Sequence, residues 1–90
     1  MEDELIRKAK IGDEKSLAEI VDRYYDQIYQ YITRLTGDTM LAQDLTQEVF
    51  IKMIKALSRY RRENAKFSTW LYTIATNICR DYWRKRDRKS

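Results

Sequence analysis

Apolar positions recur along this chain with helical spacing almost from end to end. Between Glu14 and about Thr36 they fall at Leu17, Ile20, Val21, Tyr24, Tyr25, Ile28, Tyr31, Ile32 and Leu35. Steps of three and four residues are those of an amphipathic helix. A second stripe, Leu41, Leu45, Val49, Phe50, Met53, Ile54 and Leu57, predicts a helix from Thr39 to Ser58 or Tyr60. A third, Phe67, Leu71, Ile74, Ala75, Ile78 and Tyr82, predicts one over 67–88. Ahead of them, Leu5, Ile6 and Ala9 give one apolar edge to a short segment that is acidic first and basic last, as the helix dipole favours. Gly12 and Gly37 stand where helices should stop, and Asp13 and Asp38 where the next should be capped. The run RRENAK over 61–66 has no apolar period and reads as a loop. Asn64 and Ser68 are both candidate caps for the helix behind it; with Ser68 as the cap, Phe67 and Tyr72 would take the two staple positions. The expected fold is therefore all-α, one domain over 1–90, with main helices over 13–36, 38–60 and 67–88 and a short N-terminal helix over 1–11.

Composition narrows the chemistry. The absence of Pro and the presence of only two Gly argue against a sheet, which needs many tight turns. No apolar run approaches the length of a membrane span and no signal-peptide pattern opens the chain, so a cytoplasmic location and no membrane partner are expected. There is no His, which removes the commonest general base and the commonest zinc ligand. Cys79 is alone, so neither an intrachain disulfide nor a structural zinc site can be assembled, and it reads as a small residue at the core edge. With no Gly-rich phosphate loop either, no recognisable catalytic constellation remains, and no enzyme activity, cofactor or metal is expected. Tyr24, Tyr25, Tyr29 and Tyr31 read as rings packed on helix partners with hydroxyls at the rim, rather than as a stacking platform.

Charge divides along the chain. Residues 1–60 carry nine Lys/Arg against eleven Asp/Glu, and residues 61–90 carry nine against three. A basic C-terminal third on an acidic body suits a polyanionic partner at one end, and equally a solvated helix with a charged tail. The face of the third helix opposite its apolar stripe carries Asp44, Gln47, Glu48, Ile51 and Lys55. An exposed Ile among acids fits a protein-binding face, although a solvated face accounts for the pattern too. Glu48 and Lys52 stand at the favourable i,i+4 spacing for a pair. On the last helix, Thr73, Thr76, Asn77, Arg80 and Arg84 fall together, with Trp70 on one shoulder of the apolar stripe and Trp83 further round. Small donors and Arg on one face suit sugar-phosphate and base-edge contacts. The aromatic and basic stretch from Tyr60 to Trp70 suits unstacked bases, each of which offers a π-face.

The order DLTQEVF, a polar loop, then FSTWLYTIATNICRDYWRKR resembles region 2 of a bacterial RNA polymerase sigma factor, and within that family the extracytoplasmic-function (ECF) group. The likeness runs from about Asp13 to Lys89. It implies an all-helical domain with two tasks in transcription initiation. Asp44, Gln47, Glu48 and Ile51 match the surface that docks on the β′ clamp helices of core RNA polymerase. The loop and last helix match the part that recognises the melted promoter −10 element, where a non-template-strand base is captured in a pocket. Arg61, Arg62, Asn64, Lys66, Phe67, Ser68, Thr69 and Trp70 occupy that stretch, with Thr73, Asn77, Arg80 and Arg84 behind it for the backbone and neighbouring bases. The family often carries an anti-sigma factor that covers the same surfaces. Two departures stand out. Primary sigma factors carry an adjacent Trp pair that wedges the duplex open, whereas here Trp70 is followed by Leu71, as suits the ECF type. Family members also carry a region 4 that reads the −35 element, and it is absent from this chain, so an excised domain, or a protein that functions with only part of the set, is expected. Two rival readings remain: a helical protein-interaction domain with a basic surface, and a helix-turn-helix duplex reader.

Overall fold

Two aspartates and two glycines punctuate the first half of the chain. The structure, a computed structural model, describes residues 1–89. It contains α1 (Glu2–Lys10), α2 (Glu14–Thr36), α3 (Thr39–Ala56), a 3-10 turn (Leu57–Arg59) and α4 (Phe67–Lys89), with no strand among the described residues. Ser90, where the expected domain ends, lies outside them. Asp13 caps α2 by accepting the backbone N–H of Ser16 at 3.2 Å, and Asp38 caps α3 by accepting those of Met40 and Leu41 at 3.0 and 3.1 Å. Gly37 closes α2 in the left-handed region at φ +69°, and its N–H donates to the Thr33 carbonyl at 2.8 Å. A Cβ built there would meet nothing within 4 Å, so the demand for glycine comes from the backbone angle and not from space.

α2, α3 and α4 pack pairwise, and α1 lies against α2 and the 3-10 turn. Ile20, Ile28 and Ile32 of α2 meet Val49 and Met53 of α3 and Leu71, Ala75 and Cys79 of α4 in one core, with Ile6 and Ala9 of α1 at its margin. The buried stripe of α3 is rotated from the predicted one. Ala42, Leu45, Thr46, Val49, Phe50 and Met53 are buried, while Ile54 is 45% exposed and Leu41 half-buried. The small residues Ala42 and Thr46 lie at the centre of the contact, which turns the larger Leu41 and Ile54 outward. Leu35, in the last turn of α2 where neighbours run out, is also exposed. On α4, Cys79 is wholly buried at the centre of the stripe instead of at its edge, and Ile74 and Tyr82 are only half-buried.

One boundary and one cap differ from the expectation. α3 stops at Ala56, and the 3-10 turn carries the chain to Tyr60, whose N–H donates to the Leu57 carbonyl at 3.0 Å. α4 begins at Phe67, its first bond running from Trp70 N–H to the Lys66 carbonyl at 3.0 Å. Ser68 thus lies inside the first turn, and neither its side chain nor that of Asn64 caps the helix. The staple that depended on Ser68 as the cap does not apply.

Candidate nucleic-acid and protein interfaces

Residues 61–66 form a loop whose floor is aromatic. Phe67 is buried and touches the rings of Tyr24 and Tyr60 at centroid distances of 5.4 and 5.6 Å. Trp70, half-buried, lies 4.9 Å from Tyr60 and 5.6 Å from Phe67. The four rings come from α2, the end of the 3-10 turn and the start of α4, so burial of apolar area draws the loop's two ends together. This placement corrects the role expected for Phe67. At 3% exposure its ring supports the loop from beneath and is not available to stack on a base. Arg61, Arg62, Asn64, Lys66 and Thr69 are exposed above this floor. Arg62 bonds the Asp3 carboxylate of α1 at 2.6 Å, which holds its guanidinium pKa above the ordinary value.

Behind the loop, one side of α4 forms a groove of about 660 Å³ lined by Ser68, Thr69, Tyr72, Thr73, Thr76, Asn77 and Arg80. Five residues expected at a nucleic-acid site, Ser68, Thr69, Thr73, Asn77 and Arg80, are therefore brought together on one surface. It holds hydroxyls, an amide and a guanidinium, and no acid. The structure adds neighbours that periodicity could not supply. The Tyr31 hydroxyl shares a hydrogen bond with Thr76 at 2.8 Å, and the Tyr72 hydroxyl reaches Gln27 at 3.5 Å. Both partners come from α2, so only the packed fold places them here. Arg84 lies outside the groove, one turn further on, 3.9 Å from Asp81. From Trp83 to Arg88 every residue is exposed.

The acidic face of α3 lies elsewhere. Asp44, Gln47, Glu48 and Ile51 are all exposed, Ile51 by 53%. The Glu48–Lys52 pair expected from spacing does not form. Glu48 and Ile51 instead rim a second groove, of about 490 Å³, between α3 and α4, with Leu45, Ile78 and Tyr82 lining it. The two grooves share no residue. α4 thus offers one side to a groove it shares with α3 and another to the groove that opens toward the loop. The tyrosines behave as expected of packed rings: Tyr25 stacks on Phe50 at 5.4 Å, and buried Tyr24 gives its hydroxyl to Glu2. Among the described residues no His, Cys, Asp and Glu cluster has the arrangement of a metal site, and no helix is long and apolar enough to cross a membrane.

Comparison with known proteins places the chain in a family. Residues 20–89 match the Sigma-70 region 2 family. The ECF RNA polymerase sigma factor SigW of Bacillus subtilis (strain 168) is 44% identical over 81 residues, which are 90% of this chain and 43% of that protein. The ECF RNA polymerase sigma-E factor of Escherichia coli (strain K12) is 36% identical over 80 residues, covering 87% of this chain and 40% of that one. The chain therefore spans less than half the length of these relatives. An NMR structure of an engineered region 2 of sigmaE, in complex with GTAAAA, superimposes with a TM-score of 0.83 at 34% identity, over 99% of this chain and 92% of that one. The match over residues 20–89, more than half of the sequence, establishes that this chain belongs to the Sigma-70 region 2 family.

Proposed function

We propose that this domain directs core RNA polymerase to a promoter −10 element and stabilises the melted non-template strand. The observation that carries the reading is the separation of two surfaces across α4. On one side stand the loop over 61–66 and the acid-free groove of Thr73, Asn77 and Arg80. On the other stands the exposed face of Asp44, Gln47, Glu48 and Ile51. The first suits a single strand: the loop selects a base, and the groove holds sugar-phosphate. The second suits the β′ clamp helices, with its acids opposite basic partner residues and Ile51 providing apolar contact. The domain works by binding, without bond chemistry, in the cytoplasm where polymerase acts. An anti-sigma factor would regulate it by covering the same surfaces.

Magnitudes explain the division of labour. Unstacking DNA costs about a few kcal/mol per step. A base stacked in a protein site returns about 1–3 kcal/mol, and phosphate contacts add a salt-dependent contribution. One small domain therefore binds single strands weakly, and polymerase supplies the remaining surface. The test is selection from a randomised single-stranded pool, with and without core polymerase. The reading expects one enriched motif, bound more tightly when polymerase is present. Equal binding of all sequences would point instead to a basic protein-interaction domain, and preference for duplex to a helix-turn-helix reader.

A further inference from the structure

The loop over 61–66 has few restraints of its own. One backbone bond closes inside it, from Asn64 N–H to the Arg61 carbonyl at 3.0 Å. The side chains of Arg61, Asn64 and Lys66 make no bond among the described residues. Arg62 bonds Asp3 of α1 at 2.6 Å, and the other restraints converge on Tyr60, which stands immediately before the loop and is 4% exposed. Its phenol O–H spans the loop and donates to the Ala65 carbonyl at 2.7 Å. Its own carbonyl accepts the Lys10 ammonium of α1 at 2.6 Å. Its ring is wedged against Phe67 and Trp70, which lie in the first turn of α4. Burial pushes the phenol pKa up, so at neutral pH the oxygen keeps its proton and donates.

We infer that Tyr60 is a positioning residue that staples the two ends of the base-selecting loop, and that Lys10 of α1 holds it in register. The inference rests on the reading of this loop as the place where a base is selected. A loop ordered only on binding loses affinity to its ordering entropy, whereas one already held in shape avoids that loss. The captured base needs the shape, and the phosphates need only the charge. Loosening the staple therefore lowers discrimination between sequences more than it lowers general attraction.

The test uses the whole 90-residue chain and two labelled single-stranded DNAs: the sequence that the wild-type chain enriches from a randomised pool, and a scramble of it. Tyr60→Phe removes one oxygen and leaves the ring in its cluster. It is expected to lower the ratio of the two affinities about five- to tenfold, the scale of one hydrogen bond, with scramble binding kept within about twofold. Lys10→Met is expected to lower the ratio in the same direction, and Lys10→Arg to restore most of it. Tyr24→Phe is the control. That phenol is also buried, but its hydroxyl bonds Glu2, outside the loop, so the variant is expected to lose thermal stability and keep its ratio. An unmoved ratio in Tyr60→Phe, or an equal fall in Tyr24→Phe, overturns the positioning role. If the wild-type chain enriches no sequence at all, the base-selecting reading fails and takes this role with it. An enriched motif with an unmoved ratio overturns the role of Tyr60 alone.

Discussion

Thr46 shows how one polar residue can belong to a core. It is fully buried, and its hydroxyl donates to the Ala42 carbonyl one turn back at 2.6 Å. The bond is local, so it closes without a partner from another helix. Replacing the hydroxyl by a methyl leaves that carbonyl with its helical bond, so Thr46→Val should shift stability by less than about 1 kcal/mol in urea melts. Leu71→Ala, by contrast, opens a cavity at a wholly buried site and should cost about 2–5 kcal/mol. Thr46 also explains why the predicted stripe of α3 was misplaced: a pattern that counts Thr as polar pushes the stripe toward Leu41 and Ile54. Asp13 was legible, because capping acts through adjacent residues. The Ser16 hydroxyl, which donates to the Asp13 carboxylate, holds its pKa below the ordinary 3.8. A depressed folded pKa gives stability that is complete above the unfolded value and is lost as pH falls through the folded one. Asp13→Asn keeps an acceptor but does not titrate. Its melting temperature should therefore fall less than that of wild type as pH drops below about 4.

At the scale of elements, α4 joins every functional part. Its apolar side is anchored by Leu71, Ala75 and Cys79, which leaves Thr73, Asn77 and Arg80 on the open side with no freedom to rotate inward. That division was legible in the sequence, because a period of 3.6 assigns faces to a helix before any partner is known. The start of α4 at Phe67 was legible from the same stripe, but its cap was not. Two rival caps stood on either side of Phe67, and neither is used, while the Phe67 ring packs on Tyr24 and Tyr60. The same packing removed Phe67 from the residues able to touch a base. Sequence placed the Tyr31 hydroxyl at a rim, but the contacts of Tyr31 and Gln27 with α4 depend on how two helices pack. Exposed α3 is the element most open to a clean test. Asp44→Arg combined with Glu48→Arg reverses two charges on residues that support no core contact. Circular dichroism and the thermal melt should stay as in wild type, while binding to the β′ clamp helices should fall at least about tenfold, since like charges then face the partner. Unchanged binding with an intact fold would place the docking surface elsewhere.

For the whole molecule, the issue is which charges carry sequence information and which only attract. The chain is basic overall at +4, and its excess of positive charge lies over 61–90, in the loop and along the exposed end of α4. The dimensions, 45 × 22 × 18 Å, are those of a rod, and a single strand following the loop and the α4 groove would run on toward Arg84 and Arg88. Those two guanidinium groups lie beyond the groove, with no aromatic floor beneath them. Their contribution should therefore be electrostatic and indifferent to sequence. The variant Arg84→Gln/Arg88→Gln should weaken binding to the selected and the scrambled strand by the same factor. It should also flatten the salt dependence, each lost phosphate contact lowering the slope of log K against log salt by about 0.7 for a single strand. Asn64→Ala should do the reverse, lowering the preference for the selected strand while leaving the salt slope as it was, because an amide releases no counterion. Measuring both variants over one salt titration separates attraction from selection within a single domain. If the Arg pair alters preference, or Asn64→Ala alters the slope, the strand takes a different path across α4.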